Sequence, residues 1–183
     1  MISNKCISIP LVSLVLLSCF ASADQVRIRL REQYEWSDVE YRGENLDYRG
    51  WSNTANIWME DPFHFSYGLA VGSVLSSFSS TKTPQSGIGD RIKINFAGLE
   101  AKYFPMKDRG LFTRLGGYWN HFDLRGSIGS RDGWSYYGGA GWEFLLWNAV
   151  GLAPEFGVRQ AAAQGLFMTT YRVSLGVHFY KFH

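Results

Sequence analysis

The chain ends in Tyr171-Arg172-Val173-Ser174-Leu175-Gly176-Val177-His178-Phe179-Tyr180-Lys181-Phe182-His183, and these thirteen residues decide the fold. Tyr171, Val173, Leu175, Val177 and Phe179 fall on one face of an extended strand, while Arg172, Ser174, Gly176, His178 and Tyr180 fall on the other. A strict period of two, apolar on one side and polar on the other, suits a strand that separates lipid from a wet interior. Such a strand crosses a bilayer only as part of a closed sheet, because hydrocarbon offers no hydrogen-bond partner to an open edge.

The other end of the chain fits export. One cation, Lys5, precedes an apolar run of about 15 residues from Cys6 to Phe20, and Ala21-Ser22-Ala23 stands before Asp24. That run is short for a spanning helix, and small residues at −3 and −1 make a signal-peptidase site. We expect a secretory signal over residues 1–23, cleavage after Ala23, and a single domain over 24–183. Two alternatives stay open: an uncleaved anchor, and acylation of Cys19, since Leu16-Leu17-Ser18-Cys19 resembles a lipobox. Both cysteines, Cys6 and Cys19, lie in the leader, so cleavage after Ala23 leaves neither a disulfide nor a thiolate metal site.

Without Lys5 the mature chain has 17 cations against 16 anions, which gives no electrostatic footprint for nucleic acid. All seven Trp and ten Tyr lie outside the leader, as two interfacial girdles require. Beyond the leader no stretch of 18 uncharged apolar residues occurs, so any crossing must be made by strands.

Eight strands are predicted. The first, 25–36, alternates Val26, Ile28 and Leu30 with Arg27, Arg29 and Arg31; three arginines cannot face hydrocarbon cheaply and must face the lumen. The second, 51–60, sends Ala55, Ile57 and Met59 outward, and the third, 63–75, does the same with Phe65, Tyr67, Leu69 and Val71. The fourth, 92–104, has two candidate phases. One that puts Glu100 and Lys102 inside is preferred in the membrane, with either a bulge near Ala97 or an upper part clear of the bilayer. The fifth, 111–121, turns Arg114, Gly116, Tyr118 and Asn120 inward; the sixth, 134–145, turns Ser135, Tyr137 and Glu143 inward. The seventh, 151–159, turns Glu155 and Arg159 inward, and Pro154 predicts a bulge because it removes a ladder donor. The terminal strand is the eighth.

The connections 37–50, 76–91, 123–133 and 160–166 read as longer polar loops. They alternate with short turns at 61–62, 105–110 and 147–150. That alternation, with an even strand count, puts both termini on the side of the short turns. The fold class expected is therefore all-β: a closed eight-stranded antiparallel transmembrane barrel.

Phe112-Thr113-Arg114-Leu115-Gly116-Gly117-Tyr118-Trp119 and Gly138-Gly139-Ala140-Gly141-Trp142-Glu143-Phe144 are glycine- and aromatic-rich strands. In these and in overall pattern the mature chain resembles the small eight-stranded outer-membrane barrels of Gram-negative bacteria, the group that contains OmpX, OmpW and the OmpA transmembrane domain. The resemblance implies an outer-membrane location, contact with outer-membrane lipid and lipopolysaccharide, a monomer, and insertion by the barrel-assembly machinery. Members usually end in an aromatic residue; here Phe182 is penultimate, so recognition would run through Phe182, Tyr180 or Phe179.

An eight-stranded barrel is just wide enough for side chains to fill. We expect a lumenal charge network of Arg27, Arg29, Arg31, Glu100, Lys102, Arg114, Glu143, Glu155, Arg172 and His178, because buried charges must pair. Within it, turn positions place Arg114 near Glu143, with Glu155 and His178 in the same band. No catalytic residue, cofactor site or metal site is predicted. His64 and His178 share lumenal faces with Ser66 and Ser174, but His64-Phe65-Ser66-Tyr67 lacks the His-x-Ser-Asn pattern of lipid A deacylases. His121 and His183 have no companion ligand at metal spacing.

The expected function is a non-enzymatic integral barrel with a role in envelope integrity, adhesion or stress. A narrow channel for ions or small solutes is the alternative, and a lipid A-modifying enzyme the second. A soluble lipocalin-like barrel is disfavoured because the apolar faces point outward.

Overall fold

The computed structural model describes residues 26–60, 65–78, 87–106, 110–124, 129–147 and 150–180. The side chains of residues 26–28, 60, 147 and 180 lie outside that description. The chain is all-β: β1 (Val26–Tyr41), β2 (Glu44–Glu60), β3 (Phe65–Phe78), β4 (Arg91–Tyr103), β5 (Leu111–Asp123), β6 (Ser130–Trp142), β7 (Phe144–Trp147), β8 (Val150–Ala163) and β9 (Leu166–Tyr180). β6 and β7 are two parts of one barrel strand, both paired with β8. Neighbours run antiparallel in chain order, and the β1–β9 ladder closes an eight-stranded barrel.

Side-chain burial is inverted relative to a soluble barrel. Leu30, Trp51, Val71, Leu99, Leu115, Tyr136, Phe156 and Leu175 stand exposed on the outer wall, Leu115 at 68% and Tyr136 at 72%. Arg29, Glu35, Arg159 and Arg172 are sealed inside. Only an apolar surrounding makes that arrangement favourable. Aromatic pairs lie on the outer wall: Tyr34 against Trp51, Trp119 against Trp134, and Phe65 against Tyr103 toward the end that carries the termini.

Three expectations change. The segment 37–50 is not a loop: β1 and β2 continue through it to a two-residue turn, Arg42-Gly43, with φ of 51° and 81°. Two successive positive φ angles give a turn whose twist matches the flanking strands. β8 and β9 likewise meet at Gln164-Gly165, and β5–β6 pairing runs up to Asp123 and Ser130. At 16 and 17 residues, β1 and β2 exceed the roughly 9–11 that cross a membrane, and the wall continues past it on this side, with β1 paired to β9 as far as Tyr41–Leu166.

β4 keeps one register with both neighbours and has no bulge. Ile92, Ile94 and Phe96 share the lumenal face with Glu100 and Lys102. Pro154 causes no register shift either; it faces Leu175 in an unbroken β8–β9 ladder. Its missing donor is felt on the other side, where strand pairing stops at Gly141–Glu155 and resumes at Phe144–Leu152. Glu143 occupies that gap, its backbone N–H turned to the Gly110 carbonyl at 2.9 Å.

Candidate functional site

The lumen is filled in layers, each set by the inward alternation of the strands. Nearest the termini, Lys102 of β4 reaches Glu143 at 2.5 Å and lies over the Phe112 and Phe104 rings at 4.0 and 4.8 Å. His178 Nδ1 stands 3.6 Å from the same Glu143 carboxylate.

The next layer is a five-charge network. Glu100 accepts from Arg31 at 3.4 Å, Arg114 at 3.3 Å, Asn56 at 2.8 Å and the Tyr118 hydroxyl. Glu155 accepts from Arg29 at 3.3 Å and the Tyr137 hydroxyl, and pairs with Arg31 and Arg114. Arg114 is also stacked over the Tyr137 ring at 4.6 Å. Every one of these charged groups is fully enclosed. Lumenal glycines make room for the tyrosines: a Cβ at Gly139 or Gly157 would strike the Tyr137 hydroxyl, and one at Gly116 that of Tyr118.

Above this layer Glu35 stands alone among two cations. It pairs with Arg159 at 3.3 Å and Arg172 at 3.1 Å and accepts from Ser52 at 2.7 Å. Gln33–Thr54, Ser37–Thr170 and Asn120–Ser135 hydrogen bonds complete the tier.

The mouth is apolar. Val39, Tyr41, Leu46, Val74, Ile92, Ile94, Phe122, Leu124, Leu166 and Met168 form a buried cluster. Ile88 folds into the cluster, and Gly89 ties the segment down by donating to the Leu124 carbonyl and accepting from Tyr48, both at 2.9 Å. Burial and the nearby Asp90 push the Tyr48 phenol up to about 12.

These positions bring Arg29, Arg31, Glu100, Arg114 and Glu155 together and put Lys102, Glu143 and His178 in a separate cluster. Arg172 belongs to the Glu35 tier. Arg27 pairs through its backbone with Trp58 and Tyr180, but its side chain is outside the described residues. The expected proximity of Arg114 and Glu143 is corrected: Arg114 faces Gly139 across the ladder and turns to Glu100 and Glu155. Counting residues from the turns placed the two at one depth, whereas the register puts Gly110 opposite Glu143, four residues before Arg114.

Glu35, Arg159, Tyr118, Tyr137 and Asn56 are members that the sequence reading left out of the network. Glu35 was findable, since it continues the Arg29–Arg31 parity; the tyrosine hydroxyls were not, because their partners depend on register. His64 and His183 lie outside the described residues, and Ser174 donates to the Glu155 carbonyl at 3.5 Å. His121 is exposed on the outer wall, with Nδ1 2.7 Å from Asp132.

No protein-family model matches the chain, and no curated protein matches its sequence. Its architecture does have solved counterparts. Neisserial surface protein A aligns over 83% of this chain and 96% of its own, with a TM-score of 0.55 and 14% identity. Ail, the attachment invasion locus protein of Yersinia pestis, solved with the heparin analogue sucrose octasulfate, aligns over 85% and 99%, with a TM-score of 0.51 and 14% identity. The outer membrane protein AlkL, solved in lipid bilayers, aligns over 87% and 90%, with a TM-score of 0.54 and 15% identity. The chain thus has the fold of the small eight-stranded outer-membrane barrels.

Proposed function

We propose that the chain, freed of residues 1–23, is a monomeric, non-enzymatic barrel of a Gram-negative outer membrane that forms no open pore. The carrying observation is the stacking of three enclosed polar tiers beneath an apolar mouth, which among the described residues speaks against an open polar path. Its outer face supports contact with outer-membrane lipid and lipopolysaccharide, and the terminal strand supports recognition by the assembly machinery.

The working surface on this reading is the outer face of the upper β1–β2 hairpin, in an adhesive or envelope-stabilising role. It carries Asp38, Glu40, Glu44 and Asp47 against Arg42 and Arg49, an acidic balance. Ail was solved with the heparin analogue sucrose octasulfate; the acidic hairpin of this chain suits a basic partner instead.

Planar-bilayer recording of the refolded barrel tests the reading. A silent bilayer at millimolar to molar salt is expected. Stable unitary steps would favour the narrow channel, and release of acyl chains from lipid A by the purified barrel would favour an enzyme.

A further inference from the structure

We propose that the lumen holds one small, weakly hydrated monovalent anion of halide size, bound between Arg159 and Arg172. These residues are diagonal neighbours on β8 and β9, where Gly157 faces Arg172 and Arg159 faces Thr170. Both guanidinium groups flank the Phe96 ring, at 5.6 and 6.0 Å, and both contact the same carboxylate, Glu35.

That carboxylate is already shared three ways, since Ser52 also donates to it. Arg159 Nε and Nη1 and Arg172 Nη1 and Nη2 are buried with no acceptor. The tier below cannot supply one. Its two carboxylates, Glu100 and Glu155, serve three arginines, Arg29, Arg31 and Arg114. Across the two tiers five guanidinium groups face three carboxylates.

A buried charge excess of this size must be met by a counter-charge or by lost protons, and arginine keeps its proton. Water satisfies donors but does not cancel charge. A guanidinium is itself weakly hydrated, so it favours an anion that gives up water easily, and in a lumen that side chains fill, only a small one fits. The sealed mouth makes the ion occluded, captured during folding and slow to leave.

The test refolds the mature chain from urea into detergent micelles in sodium bromide or sodium gluconate at equal ionic strength. Gel filtration into halide-free buffer and ion chromatography of the denatured peak then follow. About one bromide per chain is expected, with a urea midpoint that rises with bromide and not with gluconate, as mass action on the folded state requires. Glu35→Gln should retain bromide more firmly; Arg159→Met and Arg172→Met should lose it. Absence of bromide from the wild-type peak together with equal midpoints in the two salts overturns the proposal, whatever the variants do. So does bromide that survives Arg159→Met combined with Arg172→Met.

Discussion

Glu100 is shared among four side chains, as Glu155 is, and its removal gives a worked prediction. Glu100→Ala strips Arg31 and Arg114 of one of their two carboxylates and leaves the Asn56 amide and Tyr118 hydroxyl without an acceptor. Breaking a buried ion pair from one side costs about 3–5 kcal/mol, and each orphaned buried donor about 1–3 kcal/mol. Water entering the vacated space recovers part, so a net loss of about 5 kcal/mol is expected. Arg114→Met is a different case. Glu100 keeps Arg31, Asn56 and Tyr118, Glu155 keeps Arg29, Arg31 and Tyr137, and one unit of surplus positive charge disappears. A loss of only about 1–2 kcal/mol follows, since an apolar side chain of similar size often replaces a buried charge at little cost. The double variant should fall short of additivity by about 1–3 kcal/mol. Urea unfolding in detergent micelles, read by tryptophan fluorescence, measures all three. If Arg114→Met proves as damaging as Glu100→Ala, or the double variant is additive, the reasoning from surplus positive charge is wrong.

Arg114→Ala with Glu143→Ala should be close to additive, because Arg114 works with Glu100 and Glu155 while Glu143 works with Lys102 and His178; a coupling above about 1 kcal/mol in the same unfolding assay would contradict the register. Phe122→Ala removes a fully buried ring from the mouth and should cost about 3–5 kcal/mol by urea unfolding. On the outer face of the upper β1–β2 hairpin, partial burial and then the facing Asp47 raise the Asp38 pKa. Folding therefore favours its protonated form, and stability falls as pH rises from the ordinary aspartate range through the raised value. Asp47→Asn should bring the Asp38 titration back toward the ordinary range by NMR. Mass spectrometry of the envelope form should give a chain that starts at Asp24; a mass with acyl chains on Cys19 would establish the lipobox instead.

The barrel was legible because its outer wall obeys one rule on every strand, and the terminal alternation from Tyr171 to Phe179 states that rule without interruption. The upper part of β1 and β2 was hidden because strands whose outer face meets water lose the apolar half of the alternation. What remains there is the inward series Val39, Tyr41, Leu46 and Tyr48 about Arg42-Gly43, a two-residue hairpin signal that polar neighbours obscure. The phase of β4 was split by Ile92, Ile94 and Phe96, which face an apolar mouth and not lipid. That Arg29, Arg31, Glu100, Arg114, Glu155 and Arg172 share the lumen followed from parity. Their partners did not, because stagger between tilted strands decides which side chains meet across the barrel.

The central claim is that this sheet is closed with its apolar face outward, and folding with and without an amphiphile tests it most directly. Residues 24–183 diluted from urea into detergent or lipid vesicles should give a heat-modifiable gel band and a β-sheet circular dichroism spectrum, and should aggregate in plain buffer. A folded, soluble monomer in buffer alone would contradict the account.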